Sequence, residues 1–464
     1  MNLLKILRKK SIEEALHRAK NSALKKTLGA FDLTLIGVGC TIGTGIFVLT
    51  GINAAKFAGP AISISYLLAG IVCIFAALLY TEFVSMVPVA GSAYTYSYIA
   101  IGEFPAWIIA WFLILEYSVC ASTVASGWSG YFVGVMNSVG VMIPNYLIKT
   151  PLEGGIINLP AAGISFFVGL ALMFGTKESI LVNRILVLVK IATIFIFLLV
   201  AAPHIKMENY AEFMPFGWGG VVSAAAIIFF AYVGFDSVAA AAEETKNPKR
   251  DLPIGIIGSL GICMLLYILV ALFLTGISHF SSLDNPQPMS QALRENGSNI
   301  GSALVGTGAI VGMITAMLVM MYSHSRIFFA LSRDGLLPDM FSKVHKKLKT
   351  PYLSCLLVMI IISTISGFFP LSMISKITSF GTLLAFTAVA LSVLLLRARL
   401  PNLPRPFVCP NIFVIAFIAI SGCSYLAFIL FLNSIKIFAI WGISGIAVYF
   451  LYGYKQSLLK TKPL

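Results

Sequence analysis

Runs of about twenty apolar residues without a single charge recur along this chain, at 33–55, 57–81, 213–235, 350–375, 377–396 and 437–454. A helix of about 20 residues crosses the roughly 30 Å hydrocarbon layer of a bilayer. With 59% hydrophobic and 11% charged residues over 464, the chain has too little polar surface to cover a water-soluble core of this size. Adding the segments that carry one or two charges gives twelve predicted spans, at 33–56, 60–87, 105–135, 160–176, 185–203, 218–242, 253–277, 303–331, 352–370, 373–397, 411–432 and 434–454. The predicted fold is an all-α polytopic membrane protein.

Orientation follows the Lys/Arg bias of the short loops. With the N-terminus placed inside, 24 of the 32 basic residues fall on the inner side. Only Lys56, Lys149, Lys206, Arg294, Lys376 and Lys436 lie outside, and Lys190 and Arg326 fall within spans. Both termini are therefore predicted to be cytoplasmic. The net charge of +14 is spread through short loops instead of a separate domain, so the expected partners are membrane lipids and no nucleic acid. Residues 1–31 form a basic cytoplasmic segment in which Ile12, Leu16 and Ala19 give a weak apolar stripe suited to the inner membrane surface. The seven cysteines, Cys40, Cys73, Cys120, Cys263, Cys355, Cys409 and Cys423, contain no C-x-x-C pair and read as packing residues. No metal or cofactor is expected.

Two spans carry internal breaks. In the first, Gly37-Val-Gly-Cys-Thr-Ile-Gly43-Thr-Gly45 places four glycines in nine positions near the helix centre, each costing about 1 kcal/mol of helix propensity relative to alanine. Gly39 and Gly43 have the spacing of close helix packing, but packing has no use for Gly45. In the sixth span, Phe230-Ala-Tyr-Val-Gly234-Phe-Asp236 sets a glycine among aromatics and an acid. Interrupted helices at mid-membrane depth are tolerated where they line a cavity. If residues 32–203 and 204–400 are two halves of an inverted repeat, with 401–464 supplying two further helices, the breaks fall in the first helix of each half, the position expected of a transporter binding site. Unwinding at Gly43, Thr44 and Gly45 frees N–H groups at a helix start, which favour an anion. Unwinding after the first half of the sixth span frees carbonyls at Phe230, Ala231 and Val233, which accept from an ammonium. Donors on one side and acceptors on the other match a zwitterionic amino acid.

The charges inside spans are Lys190, Glu116 and Asp236. Lys190 reads either as a lysine reaching the inner interface or as a titrating ammonium that pairs with the unwound first span and couples transport to protons. Glu116 and Asp236 are secondary site candidates that could equally bridge helices. Glu82 reads as a structural contact at the inner end. Met320, Met321 and His324 read as packing, with Met321 the methionine taken to limit pocket volume.

Four stretches carry a family resemblance: Gly37 to Phe47; Pro88-Val-Ala-Gly-Ser-Ala-Tyr-Thr-Tyr; Gly234-Phe-Asp236 continuing through Glu243-Glu244-Thr-Lys-Asn-Pro-Lys-Arg250 to Pro253; and Leu331-Ser-Arg-Asp334-Gly-Leu-Leu-Pro338. The chain resembles bacterial members of the amino acid–polyamine–organocation superfamily, close to the cationic amino acid transporter branch. The resemblance implies a 5+5 inverted-repeat fold plus two helices in the bacterial inner membrane, without enzymatic chemistry. It implies carboxylate binding at Ile42, Gly43, Thr44 and Gly45, ammonium binding at Phe230, Ala231 and Val233, and proton coupling without Na⁺ at Lys190. The stretch from Glu243 to Arg250 and the Arg333-Asp334 loop are implied to be cytoplasmic gate elements. The substrate is expected to be an L-amino acid, cationic or small and neutral. An exchanger or a polyamine carrier of the same fold is the alternative. A channel would need a repeated filter element, and a membrane enzyme would need clustered polar catalysts, whereas His17, His204, His279, His324 and His345 are scattered.

Overall fold

The computed structural model describes residues 8–12, 27–87, 92–175, 180–236, 238, 245–345, 347, 348 and 350–461. Among these residues the chain forms helices and no strand, with one isolated parallel bridge between Leu28 and Thr245. Among the described residues eight helices are long and apolar enough to cross a membrane: Gly45–Met86, Glu103–Ser138, Arg184–His204, Pro248–Ile277, Asn299–Arg333, Leu371–Arg399, Ile412–Asn433 and Ile435–Gln456. Four shorter apolar helices accompany them, Ala30–Thr41, Leu159–Phe174, Gly217–Tyr232 and Tyr352–Phe368. The helices fall in the predicted apolar segments. Two of the shorter ones, Ala30–Thr41 and Gly217–Tyr232, are short because they stop at the predicted breaks.

The regular α-helical parts are labelled α1 (Ala30–Thr41), α2 (Ile62–Met86), α3 (Ser92–Ala100), α4 (Glu103–Ser138), α5 (Leu159–Phe174), α6 (Ile180–Ala201), α7 (Gly217–Ile228), α8 (Pro248–Ile277), α9 (Pro288–Glu295), α10 (Asn299–Arg333), α11 (Tyr352–Phe368), α12 (Phe380–Arg399), α13 (Ile412–Asn433) and α14 (Ile435–Val448). The tightest pairings are α10 on α4, α11 on α5, and α8 on both α1 and α2. Small residues permit them. Thr193 and Lys190 of α6, for example, lie against Gly308 and Gly312 of α10. Helix α14 sits at the periphery and buries little, as expected of a helix facing lipid.

Polar side chains gather at one end of the bundle. Glu82, fully buried at the end of α2, takes Arg397 Nε at 2.8 Å and Nη2 at 2.6 Å in a two-pronged pair, and accepts the Cys409 amide at 2.8 Å. This is the structural contact expected of Glu82, and it ties α2 to α12 and to the loop before α13. Removing one partner of a buried ion pair strands the other. Glu82→Gln should therefore lower stability by about 3 kcal/mol, measured as thermal unfolding in detergent. At the same end Lys10 Nζ lies 2.5 Å from Asp334, and the Tyr94 hydroxyl donates to Asp334 at 2.6 Å. Tyr98, Tyr449 and Ser457 converge on Glu103. The Arg333-Asp334 loop is thus tied to Lys10 and to α3 through Asp334. The Leu16 and Ala19 stripe, Pro88 to Gly91, and Glu243 and Glu244 lie outside the described residues.

All seven cysteines are buried and none forms a disulfide, in keeping with packing residues. In the loop after α12, burial, together with the nearby Glu82 carboxylate, pushes the Cys409 thiol up to about 11. It stays protonated and unreactive at neutral pH.

Candidate functional site

Helix α1 stops at Thr41 because Ile42 adopts an extended conformation, with φ −74° and ψ 107°. Winding resumes at Gly45–Leu49, where the chain is π-wound. Gly43, Thr44 and Gly45 therefore open a new helical segment, whose first amides have no acceptor within the helix. The second break mirrors this. Helix α7 gives way to a 3₁₀ turn over Phe229–Tyr232, Val233 is extended at ψ 133°, and Gly234 has φ +127°. That φ is one that L side chains rarely adopt.

The two breaks face each other. A methyl added to Gly45 would come within 2.5 Å of the Ala231 Cβ, and one added to Gly234 would come within 2.9 Å of the Cys40 main chain. Both glycines are thus explained by the approach of two backbones, and the structure places Gly45 against Ala231. The carbonyls at the second break already have partners. Phe230 O accepts the Val233 amide at 3.0 Å, and Ala231 O accepts the Tyr267 hydroxyl at 2.8 Å. Each keeps one free lone pair for a ligand donor.

Buried polar groups without partners mark what this space can hold. Among the described residues the hydroxyls of Thr41, Thr44, Thr123 and Ser126 and the indole N–H of Trp128 are buried with no hydrogen bond. Thr41 and Thr44 flank the first break, and Thr44 lies against Gly127 of α4, beside Ser126. Unsatisfied buried groups are rare in folded proteins; several together on two facing elements fit a polar ligand. A cavity of 480 Å³, lined by Ser126, Ser129, Asn158 and Gln287 among others, extends from Ser126 toward the end of the bundle remote from Glu82.

Tyrosines hold the broken segments in place. Tyr66 donates to Gly45 O at 2.8 Å, Tyr131 to Phe47 O at 2.8 Å, and Tyr267 lies 2.9 Å from Thr41 O as well as 2.8 Å from Ala231 O. The sequence reading missed all three, together with Thr123, Ser126 and Trp128. A usable signal existed. A tyrosine inside a charge-free span needs a partner for its hydroxyl, and unwound backbone is a ready source of acceptors.

Lys190 is fully buried, and its ammonium donates to Gly39 O at 2.5 Å and Ile42 O at 3.0 Å. It occupies the carbonyl end of α1, where the helix dipole favours a cation. Its position deep against α1, with its stem along Gly312, rules out a lysine reaching toward the interface. Glu116 binds both the Thr382 amide and hydroxyl. It thereby caps the start of α12 from α4, and Gly381 is small because Glu116 and the Phe112 carbonyl approach it. Thr382→Val leaves a buried Glu116 oxygen without its hydroxyl partner and should cost about 1–3 kcal/mol, read as a lower melting temperature. Asp236 accepts from Tyr117 at 3.1 Å. His324 is buried, 3.5 Å from the Ser118 hydroxyl. Met321 is fully buried with its methyl end toward Gly169 of α5, on the side of α10 shared with Met317. The face that meets Gly43 and Lys190 carries Gly312 and Ala316 instead, so the structure does not bring Met321 to the breaks.

A polytopic helical membrane protein with two broken helices whose breaks meet, and with orphaned polar groups around the junction, has the architecture of a carrier. The amino acid permease family matches residues 28–451. A branched-chain amino acid permease of Bacillus subtilis is 45% identical over 462 residues, covering 98% of this chain and 99% of that one. A methylthioribose transporter of the same organism is 43% identical over 456 residues, with 98% and 99% covered. The vacuolar cationic amino acid transporter 4 of Arabidopsis thaliana is 36% identical over 413 residues, covering 86% of this chain and 68% of that one. The chain belongs to the amino acid permease family, within the amino acid–polyamine–organocation superfamily, and is an amino-acid transporter of a bacterial membrane.

Proposed function

We propose that this protein is a proton-coupled, Na⁺-independent carrier of neutral aliphatic L-amino acids, working by alternating access across twelve spans with both termini cytoplasmic. Its two inverted halves are residues 32–203 and 204–400. The observation that carries the substrate reading is the facing pair of breaks. The free amides at Gly43, Thr44 and Gly45 receive the carboxylate, and the spare lone pairs of Phe230, Ala231 and Val233 receive the ammonium. The hydroxyls of Thr44, Thr123 and Ser126 add donors that have no other partner.

Two observations favour a neutral side chain over a cationic one. Glu116 is committed to Thr382 and Asp236 is bonded to Tyr117, so neither acid is reserved for a basic substrate. The relatives that match this chain and their own length almost end to end include branched-chain amino acid permeases of Bacillus subtilis, 45% identical, and Lactococcus lactis, 34% identical. The coupling reading rests on Lys190. Protonated, it holds the end of α1 through Gly39 and Ile42; deprotonated, it loses its charge and weakens that hold. The same ammonium supplies the positive charge that a bound Na⁺ would otherwise bring to these carbonyls.

The test is uptake into proteoliposomes under an inward proton gradient. Leucine, isoleucine and valine should accumulate saturably and compete with one another, with no requirement for Na⁺. Accumulation of arginine or lysine in preference would replace the neutral reading with a cationic one. Uptake of methylthioribose with none of any amino acid would overturn the proposal.

A further inference from the structure

Two basic residues lie within predicted spans, and the transport site uses only one. The other, Arg326, is exposed on α10, seven residues before Arg333, which is also exposed. Seven residues are two helical turns, so both project from one face about 10 Å apart along the axis. The Arg326 guanidinium lies 4.7 Å from the centre of the Tyr322 ring and 6.0 Å from that of Phe329, and the Arg333 guanidinium lies 5.7 Å from the same Phe329 ring. Tyr322 is 42% exposed. Among the described residues neither arginine takes part in an ion pair. The stripe Tyr322–Arg326–Phe329–Arg333 therefore presents two stacked, unneutralised guanidiniums on the outward face of a spanning helix, at the end that carries Asp334.

We propose that this stripe is a binding site for the phosphodiester headgroup of an anionic phospholipid in the leaflet at that end. An exposed arginine within a span is tolerated when it reaches polar headgroups. A planar guanidinium grips phosphate through paired N–H donors, and two of them one heptad apart bracket a single headgroup. Tyr322 and Phe329 hold both side chains by cation–π contact and supply the amphipathic rings that favour the interface. The site is remote from the breaks and makes no use of the transport chemistry, so it stands or falls separately from the substrate reading.

The test uses the full chain, purified and delipidated in neutral detergent, with phosphatidylglycerol as probe. Native mass spectrometry and lipid-dependent melting would read its binding. Phosphatidylglycerol should bind and stabilise, and phosphatidylcholine should do so markedly less. Arg326→Gln and Arg333→Gln should each weaken phosphatidylglycerol binding about fivefold, the contribution expected of one basic residue at an anionic surface. Lys149→Gln, at the opposite end, should leave it unchanged. Because both arginines are exposed, their variants should melt with the parent when lipid is absent. Arg326→Lys, which keeps the charge, should retain more affinity than Arg326→Gln. The inference is overturned if the double variant binds phosphatidylglycerol as the parent does, if phosphatidylcholine binds equally, or if soluble glycerophosphate competes at the lipid's own affinity.

Discussion

Lys190→Ala should abolish the response of amino-acid uptake to an inward proton gradient. The ammonium of Lys190 holds the last turn of α1 through Gly39 O and Ile42 O at the point where that helix breaks. Without it, the two carbonyls lose a charge-assisted donor worth about 1.5–3 kcal/mol, and protonation no longer has a group through which to act on the break. Gradient-driven accumulation should fall at least about tenfold, since a loss of 1.4 kcal/mol is already a factor of ten. Exchange of external for internal amino acid, which needs no net proton movement, should survive in part. Accumulation in Lys190→Ala that still tracks the gradient would remove the lysine from the coupling step. Loss of accumulation and exchange together, with an unchanged melting temperature, would make Lys190 a substrate-site residue.

Gly234→Ala and Gly45→Ala should be the most damaging small substitutions in the protein, with a sign opposite to that of glycines in continuous helix. In an intact helix, glycine to alanine is favourable by up to about 1 kcal/mol. Gly163 of α5, where an added methyl meets nothing within 4 Å, should show that gain. At Gly234 the φ of +127° makes a side chain costly by about 1–3 kcal/mol, and the Cys40 main chain blocks the methyl as well. At Gly45 the obstacle is the Ala231 Cα, 2.7 Å from where the methyl would sit. Both variants should melt lower than the parent and lose uptake, while Gly163→Ala melts at or above it. A neutral or stabilising Gly234→Ala would mean that the second break is not rigidly held.

The membrane class and both breaks were legible in the sequence because each rests on a local signal, either a charge-free run of spanning length or glycines where a helix should not tolerate them. Lys190 was legible for the same reason, as one charge in an apolar stretch. The partners of these groups were not. That Gly45 meets Ala231 and Gly234 meets Cys40 depends on how segments nearly 200 positions apart are packed, and no periodicity encodes it. The orphaned hydroxyls of Thr123 and Ser126 also escaped, because serine and threonine in a spanning helix ordinarily bond back to their own carbonyls, as Ser118 and Ser122 do here. Only the three-dimensional partner list separates the two kinds. Met321 illustrates the converse: position in the chain pointed to the pocket, but helical rotation turns it toward Gly169.

The Tyr267 hydroxyl stands between Thr41 O and Ala231 O, at 2.9 and 2.8 Å. A phenol has one proton, so the two carbonyls compete for it. An incoming ammonium carries three donors. In the proposed binding mode it would take over one carbonyl while Tyr267 turns to the other, exchanging bonds instead of adding them. Arrival of the substrate would then be nearly isoenergetic for the backbone, a low threshold in both directions that suits a molecule whose task is to let go of what it holds.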